Sequence, residues 1–151
     1  MASEPSVAPP QPSRMTALLR WLGADPRPVT VLERTVAILG SLVAMLIVFG
    51  VSRSMPGGSH VLIVASTGAS AVIIFTVPHG RLSQPWPVLV GHLLCGLIGV
   101  TCAKWLGTGP MSAAITVSLC VLAMSVGRCV HPPAGATALT AVLGGSLITD
   151  M

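Results

Sequence analysis

The chain has 151 residues, 52% of them hydrophobic, and its eight basic and four acidic side chains make only 8% of it charged, against about 25% in a soluble globular domain. A water-soluble globule is excluded. The net charge of +4 does not point to nucleic acid either, because the basic residues stand singly between apolar segments without interleaved aromatics.

In chain order, residues 1–13 contain four prolines and no apolar periodicity, which predicts a disordered arm. Residues 14–34 are expected to form an interfacial amphipathic segment and linker, with Met15, Leu18, Leu19 and Leu22 on one helical face and Arg14 and Trp21 near its edges. From Thr35 to Thr149 the formal charges are Arg53, Arg81, Lys104 and Arg128, and no Asp or Glu occurs. Five apolar segments fill that region, at about 35–52, 61–77, 88–106, 111–127 and 133–149. A helix needs about 20 residues to cross a bilayer. The first and third segments suffice; the others are short, and the second and fifth follow helix-breaking sequence. The expected class is all-α transmembrane with about five membrane segments.

Arg14, Arg20, Arg27, Arg34, Arg81 and Arg128 fall on one side of this topology and Arg53 and Lys104 on the other, which puts the N-terminus in the cytoplasm. No secretory signal is expected, since the first long apolar run is too long and lacks a cleavage site. Cys95, Cys102, Cys120 and Cys129 lie in apolar stretches without a CxxC pair or a histidine cluster. They read as small buried hydrophobes, and neither a metal nor a cofactor is expected.

Two short passages look alike: Thr67-Gly68-Ala69-Ser70-Ala71-Val72 and Ala134-Gly135-Ala136-Thr137-Ala138-Leu139. They fall in the second and fifth segments, which run in opposite directions, as in an inverted repeat. Each follows sequence that favours extended backbone. His60 to Val64 is rich in β-branched residues, and Cys129-Val130-His131 runs into Pro132-Pro133. Two units of extended segment plus half-helix, around 61–77 and 129–149, are therefore predicted. Helix starts present unpaired amides and a partial positive charge, so two facing starts would hold an anion. The candidate binding residues are Ser66, Thr67, Gly68, Ala69 and Ser70 from one unit. The other supplies His131, Pro132, Pro133, Ala134, Gly135, Ala136 and Thr137, with Arg81 and Arg128 drawing anions toward the mouth. His131 is also placed to bind or release a proton. His60, His79 and His92 read as interfacial or hydrogen-bonded fillers. The same small-residue words also suit plain helix packing, with hydroxyls bonded one turn back; the residues alone leave both readings open.

The run His131-Pro132-Pro133-Ala134-Gly135-Ala136-Thr137-Ala138-Leu139 resembles the signature of the HPP family of integral membrane proteins. Gly68-Ala69-Ser70-Ala71-Val72, Gln84-Pro85-Trp86-Pro87 and Gly91-His92 resemble its other recurring words, in the same order. The resemblance covers roughly residues 35–149, inside an HPP-type transmembrane domain expected over 35–151. It implies a small bacterial inner-membrane protein whose plant and cyanobacterial relatives are associated with nitrite transport. It also implies a further apolar segment beyond Thr149, so a chain truncated at its C-terminus is expected. The leading expectation is transport of a small monovalent anion, nitrite first. The partners are the anion and the bilayer, and a homo-oligomer is expected because so short a membrane region has little room to enclose a path. The alternative is a non-transporting assembly or regulatory subunit that packs through Gly96 or Gly99. An embedded enzyme is set aside, because no carboxylate pair, nucleophile with base or metal-ligand cluster lies in the membrane region.

Overall fold

The computed structural model describes residues 14–15, 30–54 and 60–144. The chain divides into two compact units, residues 1–31 and 32–151. In the first, residues 14–15 are helical. The expected arm over 1–13, most of the interfacial segment over 14–34 and the end of the fifth apolar segment lie outside the described residues.

Five α-helices follow from Val31 among the described residues: α1 Val31–Arg53, α2 His60–Thr76, α3 Pro85–Leu106, α4 Pro110–Val126 and α5 Pro132–Leu143. A short 3-10 turn, Arg81–Ser83, links α2 to α3. No strand occurs among the described residues, so the all-α class is the one the chain adopts. With 23 and 22 residues, α1 and α3 are about 34 Å long and match a hydrocarbon core about 30 Å thick. With 17 residues each, α2 and α4 reach about 26 Å, and the 12 residues of α5 about 18 Å. The last is a half-helix.

Sequence sets these bounds. Proline opens α3, α4 and α5, where its missing N–H costs nothing and its fixed φ suits the first turn. Gly107 ends α3 at φ 75°, a left-handed conformation that glycine adopts without a Cβ clash. Large apolar side chains remain exposed along α1 (Leu39, Val43, Leu46), α3 (Leu89, Leu93, Leu97) and α4 (Val121, Leu122). Such a surface is stable in lipid and not in water.

The interior is built from small residues. On α3, Pro87, Gly91, Cys95, Gly99 and Ala103 are buried at four-residue spacing. Ser112, Thr116, Cys120 and Met124 make the same stripe on α4. A Cβ added at Gly99 would lie 2.7 Å from both Cα and O of Ala138, and one at Gly91 would lie 3.0 Å from Cys129 O and 3.2 Å from His131 Cβ. The backbones of α3 and α5 therefore run parallel in near contact, the close approach that small residues permit between membrane helices. Gly99 is thus covered within the chain, whereas Gly96 is half-buried, with Thr137 Cγ2 4.0 Å from its Cβ position. Cys95, Cys120 and Cys129 join Met124, Ala134 and Ala138 in the core. All four cysteines are free and buried.

One expectation is overturned. Residues 60–76 form a single continuous helix, so no extended segment precedes Gly68, which lies in mid-helix. The β-branched run from Val61 to Val64 favours a strand by at most about 1 kcal/mol. Extended backbone in a bilayer leaves amides and carbonyls unbonded at several kcal/mol each, so the helix wins. The second unit does form as expected: His131 is extended, at φ −137° and ψ 99°, and α5 starts at Pro132. The two units are therefore not structural copies, although α2 and α5 run in opposite directions.

Candidate functional site

At one end of the helices the α2–α3 and α4–α5 connections meet. Trp86 Nε1 donates to Gly127 O across 3.2 Å. The first connection is held together by the Ser83 hydroxyl, which donates to Val77 O at 2.6 Å. Arg81 and Arg128 sit on these two connections, both exposed, and Arg128 takes a left-handed φ of 50°. Immediately inside, His131 is fully buried, and its Nδ1 donates to the carbonyl of Leu82 at 2.8 Å.

From His131 a chain of polar side chains runs through the centre of the bundle. The Ser70 hydroxyl lies 3.0 Å from His131 Nε2 and 2.9 Å from His92 Nε2. His92 Nδ1 lies 2.8 Å from the Thr137 hydroxyl, which lies 2.6 Å from the Ser66 hydroxyl. Ser66 in turn donates to Pro133 O at 3.0 Å. Ser66 and Ser70 are one turn apart on α2, so both face α5. His92 enters from α3, and its ring centroid is 5.2 Å from that of His131 at 59°. Ser66, Ser70 and His131 are buried, while His92 and Thr137 are partly so.

His92 and Ser70 also border a cavity of about 290 Å³ between α1, α2 and α3, together with Ala44, Thr67, Ala71, Ile74, Phe75 and Val88. Its wall is mostly apolar and its polar groups are hydroxyl and imidazole. No carboxylate occurs from Thr35 to Thr149, so the site offers nothing of the kind that holds a cation in a membrane. Among the described residues no group of three or more His, Cys, Asp or Glu is placed to hold a metal ion.

The structure gathers part of the expected set. Ser66, Ser70, His131 and Thr137 join the polar chain, Pro133 contributes its carbonyl, and Thr67 borders the cavity. Ala134 is buried against Gly91. A Cβ added at Gly68 would lie 3.6 Å from Met45 Cε, and the Cβ position of Gly135 meets nothing within 4 Å. Ala69, Pro132 and Ala136 are exposed. The facing pair of helix starts is not what brings these residues together. Gly68 is inside α2, Pro132 and Pro133 have no N–H, and the Ala134 N–H is bonded to His131 O at 2.9 Å. Polar side chains converge where unpaired amides were expected. The residue that sequence reasoning passed over is His92, with Leu82 as a backbone acceptor. The signal is its depth: α3 begins at Pro85, which places His92 about two turns inside a membrane helix, where an ionisable side chain is rare and costly.

An all-helical bundle with lipid-facing apolar surfaces and a buried histidine–hydroxyl cluster is a membrane protein with transmembrane helices. The chain belongs to the HPP family, whose transmembrane region matches residues 26–151. It is 34% identical to a transmembrane protein of Dictyostelium discoideum over 137 residues, 83% of this chain and 47% of that protein. It is 28% identical to a second transmembrane protein of that organism over 134 residues, 82% of this chain and 42% of that protein. The chain thus spans less than half the length of these curated relatives. No solved structure matches it.

Proposed function

We propose that the protein moves a small monovalent anion, nitrite first among candidates, across the membrane, with the anion held in the cavity bordered by Ser70, His92 and Thr67. The observation that carries this reading is the chemistry of the cluster: two imidazoles and three hydroxyls, buried or partly buried, in a bundle whose membrane region has no carboxylate. Hydroxyl and imidazole groups carry no fixed negative charge to repel an anion, and a protonated imidazole attracts one. The volume of about 290 Å³ is at the small end of ligand pockets, which suits an inorganic ion. HPP membership is consistent with transmembrane transport in general.

The location proposed is a bacterial inner membrane, as the family resemblance implies, with the N-terminus cytoplasmic. Arg34, Arg81 and Arg128 then lie on the cytoplasmic side and Arg53 and Lys104 opposite, the distribution the positive-inside bias favours. A homo-oligomer goes with this reading, because so short a membrane region has little room to enclose a path and also shield it from lipid. Uptake into proteoliposomes of the full chain, compared for nitrite, nitrate, formate and chloride, tests the reading. Flux of at least one anion well above protein-free vesicles is expected. Equal flux with and without protein for all four favours a non-transporting assembly or regulatory subunit instead.

A further inference from the structure

We propose that His92 and His131, bridged by the Ser70 hydroxyl, share one exchangeable proton that accompanies the anion; the coupling rests on the transport reading, and the shared proton stands on geometry alone. The contacts run in one line from Leu82 O through His131, Ser70, His92, Thr137 and Ser66 to Pro133 O. Six contacts make up this line, and both its ends are carbonyls, which only accept; a longer branch from Ser70 Oγ to the Ser66 carbonyl one turn back, 3.3 Å, lies off the line and is given up when the Ser70 hydrogen points along it. Each hydroxyl brings one hydrogen and each neutral imidazole one N–H. With both rings neutral, five hydrogens serve six contacts, and two lone pairs are left facing each other somewhere in the line. One added proton on either ring completes it.

The two protonated forms interconvert without breaking the line. With the proton on His92, its Nε2–H donates to Ser70 Oγ while the Ser70 O–H donates to His131 Nε2. Transfer breaks the His92 N–H bond as the proton passes to Ser70 Oγ, and the proton Ser70 held leaves for His131 Nε2. The charge moves from one ring to the other, no electrons change hands, and all six contacts survive. His92 borders the cavity and His131 is fully buried behind Ser70. The proton on His92 therefore puts a positive charge in the cavity wall and holds the anion; its passage to His131 withdraws that charge.

The other titratable side chains on the elements packed about the pair are Cys95 and Cys102 on α3, Cys120 on α4, Cys129 before α5 and the exposed His79 in the α2–α3 connection. Arg81 and Arg128 are exposed on the flanking connections. Residues 35 to 149 contain no carboxylate to compete for the proton.

Nitrogen NMR of the histidine-labelled full chain in lipid nanodiscs tests the shared proton. His92 and His131 are expected to take up one proton between them in a single transition, and Ser70→Thr, which keeps the hydroxyl, to preserve it. Ser70→Ala is expected to split it in two. Two independent transitions in the natural protein, or one unsplit transition in Ser70→Ala, overturns the proposal. In proteoliposomes carrying an internal pH dye, a nitrite gradient is expected to drive one proton inward per anion, above protein-free vesicles. Ser70→Ala is expected to lower that proton flux at least tenfold. Nitrite uptake without acidification overturns the coupling and leaves anion transport standing, whereas no uptake of any anion overturns the transport reading itself.

Discussion

The Ser66 hydroxyl lies 2.6 Å from the Thr137 hydroxyl, across 71 residues of sequence. Their contact ties the residue just before the first small-residue word, on α2, to the hydroxyl of the second, on α5. The match between those words therefore marks two antiparallel faces joined by hydroxyls, with a histidine on either side of Ser70.

Thr137 contacts both Ser66 and His92, so Thr137→Val, which keeps the shape and deletes the hydroxyl, leaves two partners short. The expected loss of stability is about 1 kcal/mol, since an unmade buried bond costs roughly 1–3 kcal/mol but averages nearer 0.6 between membrane helices. Thermal unfolding in detergent checks it: Thr137→Val melts below the natural protein and Thr137→Ser close to it.

The α3–α5 seam makes a second, sharper contrast. Gly99→Val forces a side chain into the Ala138 backbone, 2.7 Å away, and overpacking of this kind costs roughly 1–3 kcal/mol or more. Gly135→Ala places its methyl where nothing lies within 4 Å, and replacing glycine by alanine inside a helix gains up to about 1 kcal/mol. The same unfolding measurement is expected to show Gly99→Val strongly destabilised and Gly135→Ala unchanged or slightly more stable.

Arg81 and Arg128 are exposed on adjoining connections and lie outside the lining of the cavity, so they are expected to act on an anion through their field. Replacing both with Gln is expected to lower nitrite flux several-fold at low salt. The deficit should shrink at about 0.15 M ionic strength, where the screening length is about 8 Å. A deficit independent of salt speaks for a direct binding role instead.

The helices were legible where composition alone decides. The apolar segments between Arg34, Arg53, Arg81, Lys104 and Arg128 lie within a few residues of α1 to α4, and the proline pair before Ala134 marks the start of α5. What misled was local preference judged as if in water. The β-branched residues after His60 suggest a strand, yet the bilayer imposes a helix whose backbone is bonded throughout. The prolines that position α5 also delete the amides that an anion would have used, which shifts the binding chemistry onto side chains. His92 is hidden in the sequence because the apolar run reads from about 88, which places the histidine near an end; the helix starting at Pro85 carries it inward to Ser70 and Thr137.

The central claim is that the space beside Ser70 and His92 is a passage and not merely a packing defect. Ala44 borders that cavity from α1 and takes no part in the hydrogen-bond line from Leu82 to Pro133, so Ala44→Phe fills the space and leaves the polar chain intact. The decisive measurement is the initial rate of nitrite uptake by Ala44→Phe proteoliposomes, alongside its melting temperature. A rate at least tenfold below that of the natural protein, with unchanged melting, is the expected result; an undiminished rate with the cavity filled contradicts the account.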